Sequence, residues 1–364
     1  MNLDPSRRIC GGQRILAGWL WILTVGFLLV LARPANAQLP IEQFGEVVPR
    51  DVREMYDRGL DYLVATQRDE GDWLGGQSGP GTTGMAIMAL IASGEDPNFG
   101  KYASAVKRGL RNLIRLQDPT TGIMGTSMYE HGFASLGLAE AYGAVDERQL
   151  WTQGGRGEDR SRQRTIGQAL ELAVRGSLQS QKKNPYGAWR YSPESTDADT
   201  SVSGAVLVSL LAARNAGIEV PDEAIDRAIA YFKSMTSSSG QVGYSGGFGG
   251  FDESIARIAI AHLVYAVARR KDLAEHQSTL QYLVDNLERD TGSYLQYARY
   301  YQAQALFQGD LPAWERWNKK LVRELKKAQN DNGSFQGQFG LPVDTSLSLL
   351  ALALNYRFLP IYER

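Results

Sequence analysis

A turn motif that recurs along the chain constrains its fold more than any other feature of the sequence. Its complete form, Gln-x3-Gly-x-Trp, spans 67–73, and a copy with phenylalanine at the last position spans 329–335. Copies with one and two extra residues before the glycine span 117–124 and 181–189, and a degraded copy runs over 238–244. The residues of the three clearest copies are Gln67, Gly71 and Trp73, then Gln181, Gly187 and Trp189, then Gln329, Gly333 and Phe335. Such repetition indicates a repeat architecture.

Each copy of the motif lies between two different kinds of helix. Upstream, apolar residues such as Leu110, Leu113 and Ile114 recur at helical spacing among charged ones, which is typical of a helix with one buried face. Downstream, segments such as 84–93 and 346–357 are apolar nearly all round, which indicates burial on every side. Hairpins of this kind bury both helices only when they close into a ring. We therefore predict an all-α fold, a single (α/α)6 toroid over residues 38–364.

The turn motif itself favours a structural role. A buried glutamine side chain can bond the backbone at the start of the next helix, and the glycine takes a backbone conformation that other residues avoid. The aromatic residue then packs on the neighbouring hairpin. The alternative is that Trp73 or Trp189 stacks on a ligand.

The first 37 residues have the three parts of a secretory signal peptide. Arg7, Arg8 and Arg14 precede an apolar run over 15–32, and small residues at Ala35 and Ala37 suit cleavage before residue 38. The alternative is an uncleaved anchor, because the run approaches the ~20 residues that a membrane span needs. We expect an exported protein, periplasmic or extracellular, that meets the membrane only through an uncleaved leader.

Charge and cysteine content exclude several functional classes. The chain has 39 Lys+Arg against 40 Asp+Glu, a net charge of -1 that gives no electrostatic reason to expect nucleic acid as a partner. Its one cysteine, Cys10, lies in the leader. A cleaved protein would then have no disulfide, thiolate metal site or cysteine nucleophile. Since the three histidines also lack metal-ligand spacing, we expect neither a cofactor nor a metal.

The turns resemble those of the terpenoid cyclase and protein prenyltransferase toroid superfamily. The resemblance is carried by the Gln-x3-Gly-x-Trp turns ahead of apolar helices and by Asp-Thr-Ser at 199–201 and 344–346. It is greatest to the exported bacterial prenyltransferase and squalene oxidase repeat proteins, covers nearly all of the chain after the leader, and implies a toroid fold. It does not imply one activity, since such toroids host several chemistries.

The two activities that this resemblance suggests lack their motifs here. Squalene–hopene-type cyclases protonate an alkene with an Asp-x-Asp-Asp motif, whose nearest counterpart is Asp197-Ala198-Asp199-Thr200. Either alignment breaks the acidic cluster, at Ala198 or at Thr200. Protein prenyltransferases need zinc held by Asp, Cys and His, and a cysteine-free chain has no such set.

The N-termini of the inner helices are expected to ring one mouth of the toroid and to supply the candidate site. The candidate residues there are Tyr129, Glu130, His131, Asp197, Asp199, Asp252, Glu253 and Asp344. Asp199 and Asp344 each begin an Asp-Thr-Ser pattern before an apolar run, which also predicts simple helix capping. We expect His262 to be a core histidine. The stripe of Tyr294, Tyr297 and Tyr301 suits the core or the cavity wall.

Three functions remain open from sequence. The first is an extracytoplasmic toroid with a ligand-binding or scaffold role, for an apolar or isoprenoid-like molecule. The second is a hydrolase or lyase that acts on a glycan through cavity carboxylates. The third is a protein–protein interaction module. The lining of the cavity distinguishes these functions. An aromatic and aliphatic cavity favours the first, two facing carboxylates favour the second, and a filled barrel favours the third. Because the sequence does not show this lining, it does not decide whether the protein is an enzyme.

Overall fold

A computed structural model describes residues 48–74, 79–151, 162–246, 254–289, 292–356 and 359–360. The predicted leader at 1–37 lies outside these ranges. Twelve α-helices account for the regular structure of the described residues, together with two one-turn 3₁₀ helices and no strand. The all-α prediction is confirmed. None of these helices is both long and apolar enough to cross a membrane.

The helices alternate between an outer and an inner layer. The outer helices are α1 (Arg50–Thr66), α3 (Ala103–Leu116), α5 (Ile166–Lys183), α7 (Asp222–Ser234), α9 (Ala274–Asp285) and α11 (Leu311–Ala328). The inner helices are α2 (Pro80–Ile91), α4 (Met128–Ala141), α6 (Thr200–Asn215), α8 (Ile255–Val267), α10 (Leu295–Gly309) and α12 (Leu341–Ala353).

The inner helices form a closed ring, because each packs on the next inner helix and α12 packs on α2. Every residue of α2 is buried, as the apolar sequence predicts for a helix with neighbours on all sides. Gly84 and Gly137 let α2 and α4 approach closely, since a Cβ on Gly137 would lie 2.8 Å from the Gly84 Cα. α10 is the polar member of the ring, with buried glutamines at 296, 302, 304 and 308.

The turn glutamines tie each hairpin to the next outer helix. The Gln67 Nε2 donates to the carbonyl of Gly71 (2.9 Å) in its own turn and to that of Ala105 (3.0 Å) in α3. Gln117 and Gln181 repeat this pair of bonds toward α5 and α7. Gln329 donates to Met55 (2.9 Å) in α1, so the last turn closes the ring onto the first helix.

The glycine and the aromatic residue of each turn have equally specific positions. Gly71 has φ +95°, and a Cβ there would lie 2.2 Å from the Arg108 carbonyl oxygen; only glycine fits. Trp73 and Trp189 are fully buried, and their indole N–H groups donate to the carbonyls of Leu63 (2.7 Å) and Ser177 (2.9 Å). Both indoles therefore hold the preceding outer helix, and neither lines the cavities described below.

The degraded copy differs from the sequence interpretation. The buried position two residues after Gly240 is taken by Val242, which is fully buried, and not by Tyr244. Thr236 stands at the glutamine position and donates to Phe232 within its own helix (2.8 Å). Because threonine is too short to reach the next outer helix, this turn lacks a side-chain tie to α9 of the kind that Gln67, Gln117, Gln181 and Gln329 make in their turns.

Candidate functional site

A cavity of about 620 Å³ opens at the N-terminal ends of the inner helices. It meets the first turns of α4, α6, α8 and α10 and the segment before α12. Six aromatic side chains form most of its wall: Tyr129, Tyr191, Tyr244, Tyr294, Tyr297 and Phe339. Its other lining residues are Ser201, Ser254, Ala256, Arg257 and Gln338. The predicted mouth is therefore present, and aromatic rings dominate it.

Four of the six rings form a continuous part of this aromatic wall. Phe339 stacks on Tyr294, with ring centroids 5.6 Å apart, and meets Tyr297 edge-on at 6.3 Å. Tyr297 in turn lies 6.1 Å from Tyr129, measured between ring centroids. Burial raises the pKa of Tyr129 and Tyr297 well above the ordinary tyrosine value, so both remain neutral phenols. The wall presents apolar ring surface with neutral hydroxyl groups.

A narrower, more apolar slot of about 40 Å³ adjoins this cavity. Tyr129, Tyr297 and Phe339 line both spaces. Behind them the slot is bordered by Met85 of α2 and by Val343 and Leu347 of α12. At this volume the slot has room for only a small apolar group, such as the end of a chain, so most of a ligand would remain in the outer space.

Two arginines, Arg257 and Arg190, lie at the edge of the cavity. Arg257 lies over the Tyr244 ring at 5.8 Å from its centroid, and its Nε donates to the Val242 carbonyl (3.1 Å). Arg190 lies 5.7 Å from the centroid of the same ring and pairs with Asp197 (3.0 Å). No carboxylate is among the described residues that line the 620 Å³ cavity.

The structure places Asp199 as a helix cap. It is the N-cap of α6, fully buried, and its Oδ1 accepts a hydrogen bond from the Val202 N–H (2.8 Å). Burial raises the pKa of Asp199 to about 6. Asp197, two residues earlier, is more than half exposed and pairs with Arg190. The two carboxyl groups therefore do not face each other across the cavity.

Asp344 is not the cap that its Asp-Thr-Ser pattern predicts. The helix begins three residues earlier, at Leu341, because Pro342 suits its first turn. Asp344 instead reaches back, and its Oδ2 accepts hydrogen bonds from the N–H groups of Phe339 (3.0 Å) and Gly340 (2.9 Å). Burial raises its pKa to about 6. This carboxyl group holds the backbone that presents Phe339 to the cavity.

Of the predicted trio at 129–131, Tyr129 faces the large cavity. Glu130 borders the slot, but its carboxylate is taken up by the α4 capping box with Ser127 and by Thr126. His131 is fully buried against α5: its Nδ1 accepts from the Met124 N–H (3.2 Å) and its Nε2 lies 3.0 Å from the Ser177 Oγ. Burial lowers the pKa of His131 to about 4, so the ring is neutral and structural.

The remaining candidates and the residues that sequence reasoning missed complete the site. Asp252 and Glu253 lie outside the described residues. Tyr191, Tyr244, Arg257 and Phe339 are cavity residues that the sequence did not single out. Two of them share a position relative to the turn motif that sequence reasoning could have used. Tyr191 comes two residues after the buried Trp189, and Tyr244 comes two residues after the buried Val242.

The described residues contain no group of three or more His, Cys, Asp or Glu side chains that could hold a metal ion. His262 and His276 come together elsewhere, on α8 and α9, as a buried stacked pair with ring centroids 4.3 Å apart. Neither lines the aromatic cavity.

Comparison with solved structures identifies the fold. The type II terpene cyclase MstE from Scytonema, without ligand, matches with a TM-score of 0.56 at 16% identity over 85% of this chain and 99% of that chain. A variant of that enzyme bound to geranylgeranyl dihydroxybenzoate gives a TM-score of 0.55 at 16% identity, over 85% and 98%. An alpha-amylase from Clostridium perfringens gives 0.56 at 10% identity, over 84% and 99%. No protein-family model and no curated sequence matches. These low identities show the fold alone, a terpenoid cyclase-like α/α toroid.

Proposed function

We propose that the protein is an exported, ligand-binding toroid whose aromatic cavity holds an amphipathic, isoprenoid-like molecule. The observation that carries this proposal is the continuous aromatic wall, which leads from a 620 Å³ cavity into an apolar slot. Concave sites with mostly apolar walls and a few polar groups are typical of small-molecule sites. The apolar chain would lie against Phe339 and enter the slot, with the polar end toward Arg257.

Burial of apolar surface provides the affinity in this proposal. Each Å² of apolar area removed from water contributes roughly 25 cal/mol, and aromatic side chains offer large areas with few rotatable bonds. The neutral tyrosine hydroxyls add hydrogen-bonding positions without placing a charge in the cavity. Arg257 in the lining of the 620 Å³ cavity, with no carboxylate among its described lining residues, suits a ligand whose polar end accepts hydrogen bonds or is anionic.

The same geometry argues against the cyclase reaction. Alkene protonation needs an unusually strong acid that touches the substrate. Asp199 is fully buried in a capping role, and its raised pKa makes it a weaker acid than an ordinary aspartate. Incubation with squalene is therefore expected to yield no cyclic triterpene. A cyclic product that disappears in Asp199→Asn would restore the cyclase interpretation.

The solved neighbours are consistent with an isoprenoid-like ligand. Variants of MstE were captured with geranylgeranyl dihydroxybenzoate and with merosterolic acid A. The amylase shares the fold, but the glycan alternative needs two facing carboxylates, and no such pair lines this cavity among the residues described. The binding function is therefore favoured over glycan cleavage.

The test is whether the purified protein binds geranylgeraniol. Calorimetry measures the affinity, and mass spectrometry of the lipid extract identifies the bound molecule. Phe339→Ala should weaken binding about tenfold or more, since it removes a ring from both the cavity and the slot. Phe99→Ala is the matched control, because it removes the same ring from a side chain that is 78% exposed. Absence of binding, or equal weakening by both changes, would contradict the proposal.

A further inference from the structure

A second cleft, of about 280 Å³, lies between α10, α11 and the segment 287–289 that follows α9. It has no lining residue in common with the aromatic cavity. Leu295, Arg299 and Gln302 of α10 form one side. Trp317, Lys320, Leu321 and Glu324 of α11 form another.

One lining side chain of this cleft is a buried amide with unmet hydrogen-bonding capacity. Gln302 is 1% exposed, and its Nε2 has no hydrogen-bond partner among the described residues. An unmade hydrogen bond on a buried polar group disfavours folding, and such groups are rare in native proteins. Gln302 also stands on a helix whose counterparts in the ring are mainly apolar. A polar molecule in the cleft would satisfy it.

The charges around the cleft are largely paired with one another. Arg299, 8% exposed, is paired with Glu324, and Lys320 is paired with Glu288 (2.8 Å). The cleft therefore presents both donors and acceptors rather than a strong field of one sign. Leu287, Leu295, Leu321 and Trp317 add apolar surface beside them.

We propose that this cleft binds a neutral sugar ring. A sugar ring has hydroxyl groups that both donate and accept, and C–H faces that pack on leucine and tryptophan. A hydroxyl group can bond either end of the Gln302 amide, so the fit does not depend on which atom faces the cleft. A simple anion would have to compete with Glu324 and Glu288 for Arg299 and Lys320, and it would leave the apolar wall without a complement.

The experiment is saturation-transfer NMR and calorimetry of the full chain with glucose and maltose, and with acetate as the anionic comparison. At least one sugar should bind with a millimolar or lower Kd, and Gln302→Leu should weaken it about tenfold, the usual effect of losing a hydrogen bond to a buried amide. The Tm of Gln302→Leu should stay the same or rise, because the change removes an unsatisfied buried amide. A merely structural glutamine would lower the Tm and leave affinity unchanged.

Gln304→Leu is the matched control. It removes another buried glutamine from α10, one that does not line the cleft, so sugar affinity should be retained. Phe339→Ala should likewise leave sugar binding intact, which separates this proposal from the function of the aromatic cavity. The proposal is wrong if neither sugar binds at about 10 mM, if acetate binds in their place, or if Gln302→Leu binds as tightly as the unchanged protein.

Discussion

The buried aspartates and the buried histidine make the stability of this protein depend on pH in opposite directions. Burial raises the pKa of Asp199 and Asp344 to about 6. Between their ordinary value near 4 and this raised value, the folded state binds more protons than the unfolded state, so their contribution to stability falls as the pH rises. Burial lowers the pKa of His131 to about 4. The unfolded state then binds more protons up to about pH 6.5, so this contribution rises with pH.

Substitution of Asp199 should separate capping from burial. Asp199→Ala is expected to cost on the order of 1 kcal/mol at pH 4, and Asp199→Asn much less, because asparagine caps nearly as well. As the pH rises from 4 to 7, the free energy of unfolding of both variants should increase by roughly 1–3 kcal/mol relative to that of the unchanged protein, since neither variant buries a carboxylate. Urea denaturation at pH 4, 5, 6 and 7 measures the difference. A gap that does not change with pH would contradict the burial argument, and Asp197→Asn serves as the exposed control.

The buried indoles of the turns should be among the most costly side chains to remove. Trp73→Ala and Trp189→Ala are each expected to lower the free energy of unfolding by roughly 3–5 kcal/mol, because each leaves a large cavity and removes the indole hydrogen bond to the outer helix. Chemical denaturation measures this loss, with Phe99→Ala as the exposed aromatic control. Losses under about 1 kcal/mol would rule out the structural role of these residues.

Among the outer helices, α9 has the fewest buried residues. They are His276, Thr279 and Leu283, whereas α3 buries eight. The turn before α8 has Thr236 in place of the glutamine that ties four other turns to the next outer helix. Where α9 packs on α8, His276 stacks on His262, and three of the ring nitrogens have no partner among the described residues.

Amide hydrogen exchange should therefore be faster in α9 than in α3, and the difference should widen in acid. Burial lowers the pKa of His262 to about 3 and also lowers that of His276, with Lys271 nearby adding to both effects. Below about pH 6.5 protonation favours the unfolded segment, so protection of α9 should decrease between pH 7 and 5. Hydrogen exchange measured by mass spectrometry at both pH values tests this. The intrinsic exchange rate itself changes with pH, so the rate in α9 is expressed relative to the rate in α3. His262→Gln should flatten the pH response; an unchanged ratio of the two helices would refute the explanation.

The described helices, from Arg50 to Ala353, are held as a ring, so the first and the last of them depend on each other. Gln329 bonds the carbonyl of Met55, and α12 packs on α2. A break at this seam would expose the apolar faces of both inner helices to water. The closed ring also gathers residues far apart in sequence at one mouth, which is how Tyr129 and Phe339 come to line the same cavity.

We also predict that the exported protein starts at or near Gln38. The basic, apolar and small-residue parts of 1–37 are the reason. N-terminal sequencing of the protein recovered outside the cytoplasm is the measurement. A membrane-bound form that retains Met1 would show the segment to be an anchor instead.

The sequence by itself determined the toroid, because its signals are local. The amphipathic and all-apolar helices, the turn glutamines and the glycines each follow from a few neighbouring residues, and their repetition implies the ring. It also indicated the N-terminal mouth and Tyr129 within it, but it left both the core and the cavity wall open for Tyr294 and Tyr297, which line the cavity. Even so, the local Asp-Thr-Ser pattern placed the cap of α12 at Asp344, four residues after the observed cap, Gly340.

Only the tertiary structure decided which side chains face the cavity. His131 and Tyr129 are two residues apart on one helix, yet one is buried against α5 and the other lines the mouth. On an inner helix every face is buried, so hydrophobicity cannot tell the face that meets the cavity from the face that meets an outer helix. The sequence predicted that Asp199 caps α6, but its complete burial follows from the packing of segments distant in sequence. The site is thus a property of the closed ring rather than of any one motif.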